Sequence, residues 1–240
     1  MKSIQRYYFL GSEWVYYKFY LGNQTSDEFL ITVINPMAKR LINENIIKKW
    51  FFINYKDSDR HIRVRFLISN IRDNLGSLIQ IVHTEVKPFL KDKLIHKIQT
   101  DTYKRELERY GKYSIDEAES IFCYNSFLIL SIIKKTLGND QDRWLWGAKG
   151  LDVFLDCWGF DLRRKKDFFD ELKTSFGKEM NTNTYVNKQL SKKYREYKRD
   201  LEVIMENSNE KLYIITEKYI ENISPYIKKI IGKNEIGLLE

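Results

Sequence analysis

The sequence predicts an α+β fold, with a mostly antiparallel sheet and flanking helices in the N-terminal half and a helical C-terminal half. Three observations predict it. Two strand-like runs, residues 50–55 and 61–66, are separated by the polar stretch Lys56-Asp57-Ser58-Asp59-Arg60, the pattern of a hairpin. An aromatic, β-prone run, Trp14-Val15-Tyr16-Tyr17-Lys18-Phe19-Tyr20, comes before them and is stopped by Gly22-Asn23. From Ser114 onward the apolar residues recur at helical spacing.

Between these landmarks the elements follow in order. Pro36 suits the first turn of a short helix carrying Met37, Leu41, Ile42 and Ile46. After the hairpin, Ile71, Leu75, Leu78, Ile79, Val82 and Val86 mark a helix that Pro88 is expected to end. An extended segment covers Leu94 to about Thr102. Ser114-Ile115-Asp116-Glu117 has the form of a capping box ahead of an apolar stretch reaching Lys135. Residues 144–158 form an amphipathic run stopped by Gly159. Residues 184–206 predict a long charged helix with a narrow stripe at Val186, Leu190, Tyr194, Tyr197, Leu201 and Ile204. A last helix, residues 209–223, precedes Ser224-Pro225. No internal repeat, linker or composition break interrupts the chain, so residues 1–240 read as a single domain.

Composition narrows the function classes. With 240 residues, 43% hydrophobic and 15% aromatic, the chain can bury a sizeable core and is not disordered. No purely apolar run exceeds four residues, as at 127–130, far short of a transmembrane segment. The N-terminus lacks the apolar region of a signal peptide. Two isolated cysteines, Cys123 and Cys157, exclude a disulfide framework, and a cytoplasmic location is expected. The net charge of +8 would favour an acidic partner, but both signs are interleaved even in the densest basic stretch, residues 188–199, which contains Glu196. A solvated lysine-rich surface accounts for it, and no direct nucleic-acid binding is expected.

Phosphate-loop, nucleophile-elbow and zinc-protease motifs are absent, and His61, His83 and His96 lack metal-ligand spacing. No metal and no cofactor are expected. One constellation remains. Side chains alternate along a strand, so His61, Arg63 and Arg65 share one face while Ile62, Val64 and Phe66 take the core face. Two arginines so placed repel unless water covers them or an anion sits between them. Composition favours the solvated face; the alternative is a clamp for carboxylate or phosphate. A second arginine-rich segment follows, Asp101-Thr102-Tyr103-Lys104-Arg105-Glu106-Leu107-Glu108-Arg109-Tyr110-Gly111. If helical, it puts Arg105 and Arg109 on one face, either as an anion site or as an exposed salt-bridged turn.

Together these blocks resemble the lantibiotic dehydratases. Trp50-Phe51-Phe52-Ile53-Asn54-Tyr55 through His61-Ile62-Arg63-Val64-Arg65 is similar to their W-F-F-I-R-Y and H-L-R-L-R block. Thr102-Tyr103-Lys104-Arg105-Glu106-Leu107-Glu108-Arg109-Tyr110-Gly111 is similar to T-Y-E-R-E-x-E-R-Y-G-G, and Ala118-Glu119-Ser120-Ile121-Phe122 with Asn125-Ser126 to A-E-x-x-F and D-S. The early Trp14 run fits the opening strand. The resemblance is to the C-terminal elimination domain, and it covers roughly residues 10–160. It implies a stand-alone protein of bacteriocin (lanthipeptide or thiopeptide) maturation that expels glutamate from glutamylated Ser or Thr of a ribosomally made precursor peptide. The glutamate would be installed by a separate tRNA-dependent glutamylation protein. It further implies Arg63, Arg65 and Arg105 as elimination arginines, with Arg109, Tyr103 and His61 as substrate-binding residues. Relatives of this fold perform a formal cycloaddition that makes thiopeptide pyridine rings, and a non-catalytic peptide-binding subunit is a further alternative.

Two departures stand beside the resemblance. Asn125 replaces the usual aspartate. The family's H-M-x-x-N-R motif does not occur, no histidine follows His96, and Ile236-Gly237-Leu238-Leu239-Glu240 resembles the lead-in to that motif. The resemblance therefore places a histidine just beyond Glu240.

Overall fold

The computed structural model describes residues 4–206 and 209–235. Residues 236–240, the stretch resembling the lead-in to the histidine motif, lie outside the described residues. The described residues cluster into two compact units, one formed by residues 4–134 with 225–235 and the other by residues 135–206 with 209–224.

The first unit is built on a four-stranded antiparallel sheet ordered β3-β4-β2-β5, from β2 (Trp14–Leu21), β3 (Ile47–Lys56), β4 (Arg60–Ile68) and β5 (Ile95–Thr100). The hairpin at β3–β4 forms as the alternation predicts, with Tyr55 opposite His61 and Phe51 opposite Arg65. Ile62, Val64 and Phe66 lie on one face in the main core, together with Val15, Tyr17 and Phe19 of β2. That face is covered by α1 (Asn23–Phe29), a π-helical turn at Leu30–Ile34, α2 (Asn35–Asn43) and α3 (Ile71–Lys91). Pro36 does not open a separate helix as expected: α2 continues without a break from the π-helical turn, with Ile34 itself helical, so Pro36 sits just after that turn inside one long helical run.

The opposite face is covered as well. β1 (Tyr7–Tyr8) and β6 (Tyr103–Lys104) pair as a two-stranded ribbon, and Tyr8, Trp14, Tyr16, Phe51 and Tyr103 form a second, aromatic core with Phe122 packed against it. This explains why β2 carries five aromatic residues among its eight and is buried except at Lys18: both of its faces are packed. The strand that the sequence leaves as a half-solvated face therefore has no solvated side at Arg65. After β6 come the single turn α4 (Leu107–Tyr110) and α5 (Ile115–Lys135), which lies along the β3 edge. There the Ser126 hydroxyl accepts the Phe52 N–H at 3.1 Å and donates to the Phe122 carbonyl at 2.9 Å, so the serine of the Asn125-Ser126 pair satisfies an edge-strand donor.

Two prolines fail to end helices as expected. Pro88 lies inside α3, which continues to Lys91 because Phe89 packs edge-on against Phe29 at 5.2 Å and holds the last turn. Pro225 lies inside α9 (Glu210–Glu235), with Ile223 and Ile227 fully buried around it. Burial outweighs the single hydrogen bond a proline forfeits. The Ser114 hydroxyl donates to the Tyr110 carbonyl, and the Glu117 carboxylate binds Lys233 at 2.7 Å, so the expected capping-box residues are engaged elsewhere.

The second unit holds α6 (Asp140–Cys157), α7 (Leu162–Glu179), α8 (Thr184–Met205) and the first part of α9. Asn139, Asp161 and Asn183 cap the first three, each side chain accepting from the backbone N–H three residues on. The stripe predicted on α8 is only partly used. Ile204 is buried, but Leu190 and Tyr194 are more than half exposed.

Candidate active site

Cross-strand register sets the site. On the face carrying the aromatic core, Arg65 lies between Phe51 of β3 and Tyr16 of β2, and Arg63 lies between Ile53 and Lys18. The Arg65 guanidinium carbon is 4.4 Å from the Tyr16 ring centre, 4.8 Å from Tyr103 and 5.1 Å from Phe51. Its residue is 8% exposed. Among the described residues no carboxylate lies within salt-bridge distance of it, and its Nε–H has no hydrogen-bond partner. Burial pulls its pKa down, against the opposing pull of Tyr16 and Tyr103. Three ring faces give back about 0.5–2 kcal/mol each, less than the several kcal/mol that desolvating a cation costs. Arg65 is thus a largely desolvated cation held in an aromatic cage, with no carboxylate paired to it among the described residues and only the more distant pull of Glu106.

Arg63 is more open, with a fifth of its side chain exposed. Its guanidinium stacks on the Tyr55 ring at 3.4 Å, its Nε–H donates to His61 Nε2 at 3.0 Å, and Asp57 stands 3.8 Å away. Lys18, opposite Arg63, is bound to Asp101; burial pulls the lysine's pKa down, but the hydrogen bond and charge of Asp101, together with Tyr16, raise it overall.

Arg105 differs from both. It precedes α4 rather than lying in it, so it does not share a helix face with Arg109. Its Nε–H donates to Glu119 Oε1 at 2.7 Å, and Nη2 donates to Glu119 Oε2 at 2.6 Å and Asp116 Oδ1 at 2.7 Å. Burial pulls Arg105 down, yet its bonds to Glu119 overrule it and hold the guanidinium above its ordinary range. Burial pushes the Glu119 carboxyl up, and Arg105 with Tyr103 pulls it back. The Tyr103 hydroxyl donates to the same Glu119 Oε1 at 3.0 Å. Arg105 therefore fixes Glu119, Glu119 fixes Tyr103, and the Tyr103 ring caps Arg65. Arg109 stands apart from this chain of contacts, 71% exposed at its side chain and paired with Glu106.

Tyr16, Phe51 and Glu119 complete the arrangement, and the sequence assigns none of them to a site. Lys49 adjoins the network: burial lowers its pKa, and its ammonium donates to the Asp116 carbonyl and the Ser120 hydroxyl. Among the described residues, no group of three His, Cys, Asp or Glu side chains is placed to hold a metal, and no helix is long and apolar enough to cross a membrane. Tyr103→Phe keeps the ring over Arg65 but removes one donor from a buried carboxylate. The expected cost is about 1.5–3 kcal/mol in denaturant unfolding; an unchanged midpoint would show that Glu119 does not need the phenol.

The comparisons agree with this architecture. The nisin biosynthesis protein NisB of Lactococcus lactis subsp. lactis is 32% identical over 129 residues, which is 52% of this chain and 12% of NisB. The chain thus spans about an eighth of that relative's length. The tRNA-dependent lantibiotic dehydratase MibB of Microbispora sp. 107891 superposes with a TM-score of 0.56 at 24% identity, over 62% of this chain and 14% of MibB. TbtD, a pyridine synthase from thiomuracin biosynthesis, superposes with a TM-score of 0.57 at 9% identity, over 95% of this chain and 86% of TbtD. At these identities the two structures establish a shared fold. The sequence profile of the lantibiotic biosynthesis dehydratase C-terminal domain matches residues 14–236, nearly the whole chain. The chain belongs to that family.

Proposed function

We propose that this chain, acting as one functional domain, eliminates glutamate from glutamylated Ser or Thr of a ribosomally made precursor peptide. The observation that carries the reading is Arg65, a buried cation with aromatic walls and no acidic partner, beside the half-open Arg63. Such a pair favours an incoming carboxylate, because the desolvation is already built into the fold and a bound anion recovers it. In the reaction a base takes the Cα proton, the C–H electrons form the Cα=Cβ bond, and the Cβ–O bond breaks to release glutamate as its carboxylate. Negative charge grows on the departing oxygens, so guanidinium groups fixed beforehand stabilise the transition state more than the ester. Arg63 and Arg65 take that role directly, Arg105 and Tyr103 hold the cage in shape, and Arg109 meets the peptide at the surface. The partners are the precursor peptide and a separate tRNA-dependent glutamylation protein, the compartment is the cytoplasm, and no cofactor takes part.

The test supplies the purified chain with a pre-glutamylated peptide and follows the glutamyl adduct by mass spectrometry. Loss of glutamate with formation of dehydroalanine or dehydrobutyrine is expected, and Arg63→Ala should slow it by about 10²-fold. Binding with the adduct intact would move the chain to a peptide-binding subunit. Ring closure of a peptide already carrying two dehydroalanines would move it to cycloaddition.

A further inference from the structure

We propose that His61 is a positioning residue: as a neutral imidazole it fixes the Arg63 guanidinium, an assignment that rests on the elimination reading for its consequence but not for its geometry. The ring is completely buried between Tyr20 at 4.7 Å and Tyr55 at 5.7 Å. One nitrogen, Nδ1, is 2.9 Å from the Asp59 carbonyl oxygen, which only accepts, so Nδ1 carries the proton. The other, Nε2, receives the Arg63 Nε–H at 3.0 Å and must offer a lone pair. The Asp59 contact places a proton on Nδ1 and the Arg63 contact excludes one from Nε2, so together they specify one neutral tautomer. A ring with both nitrogens engaged and no exposure cannot reach a substrate Cα proton, so His61 is neither the general base nor a direct substrate contact.

What it does instead is limit Arg63. The guanidinium is pinned at Nε by His61 and stacked on Tyr55, and its Nη2 makes only a long ion pair with Asp57 at 3.8 Å, which an incoming carboxylate would have to displace. A second proton on the ring would break the Arg63 bond and set two cations about a hydrogen bond apart. Asp57 is the acidic group facing the ring, its Oδ1 3.8 Å from Nδ1. Tyr55 and Tyr20 flank the ring, with Lys97 and His96 of β5 behind Tyr20.

Two measurements on the full chain test this. In ¹⁵N NMR of the parent, His61 should be protonated at Nδ1 and the Arg63 Nε–H should exchange slowly. His61→Gln, whose amide oxygen reaches the Nε2 position, should keep that slow exchange, and His61→Leu should lose it. A proton on Nε2, or a fast-exchanging Arg63 Nε–H in the parent, overturns the assignment whatever the chain catalyses. In the elimination assay, His61→Leu should lower kcat about 10–100-fold with little change in KM, the size of effect expected from misplacing a charged group by about an ångström. His61→Gln should restore most of the rate. Equal rates in all three overturn the positioning role, whereas a parent that shows the NMR signature but never eliminates overturns the functional reading alone.

Discussion

Arg65→Met is expected to make the protein more stable and nearly inactive at once. The parent keeps a guanidinium 8% exposed among Tyr16, Phe51 and Tyr103 with an unpartnered Nε–H. Replacing a buried, poorly compensated charge by an apolar group of similar length is commonly neutral or stabilising by about 1–4 kcal/mol. Methionine also suits the cage, since a thioether packs well against ring edges. The same change removes one fixed charge from the departing carboxylate, and losing one such contact typically costs about 10²–10³ in rate. Denaturant unfolding reads the first effect and mass spectrometry of the glutamyl peptide reads the second. A large loss of stability would mean that Arg65 is a structural residue of the aromatic core. Undiminished elimination by a well-folded variant would place the anion site elsewhere.

How far the sequence reveals this site depends on the distance over which each contact acts. The hairpin and the shared face of Arg63 and Arg65 are legible because strand alternation is local: Ile62, Val64 and Phe66 on the other side all enter the core. The cage is not. Tyr16 and Phe51 meet Arg65 only through cross-strand register, and Tyr103 meets it only because the β1–β6 ribbon lays it over the sheet. Alternation distinguishes two faces but does not say that both are covered. Glu119 is hidden for a related reason. In sequence it is one charge in a helix of mixed character, and its partner Arg105 lies in the loop after β6, 14 positions earlier. The capping box, Pro88 and Pro225 are local signals that tertiary packing overrides. Exposed Leu190 and Tyr194 show the converse error, a helical stripe that periodicity assigns to a core and the fold leaves outside.

Arg105→Ala is expected to destabilise the protein by about 3–5 kcal/mol, a large share of the roughly 5–15 kcal/mol that holds a typical domain together. On sequence grounds Arg105 reads as a pocket arginine whose removal leaves the fold intact; its burial and its three charge-assisted bonds reverse that expectation. The loss comes from what is left behind. Glu119, with a side chain that is 0% exposed, would keep only the Tyr103 hydroxyl and the more distant charge of Lys49. Burial already pushes its carboxyl up, and without Arg105 only the Tyr103 hydroxyl and Lys49 still oppose that push. The pH dependence follows in sign. A carboxyl whose folded pKa lies above its unfolded value of about 4.3 binds more protons folded than unfolded, so stability falls as pH rises between the two values. The Arg105→Ala deficit should therefore be smallest near pH 4 and reach its full size toward neutrality. Adding Glu119→Gln should recover much of the loss at neutral pH and flatten the profile, while Glu119→Gln alone should itself be destabilising, because it strips Arg105 of its buried partner. A double-mutant cycle run at pH 4 and pH 7 measures the coupling directly. A deficit that is independent of pH, or a double variant no better than Arg105→Ala, would show that Arg105 supports the cage through packing rather than through Glu119.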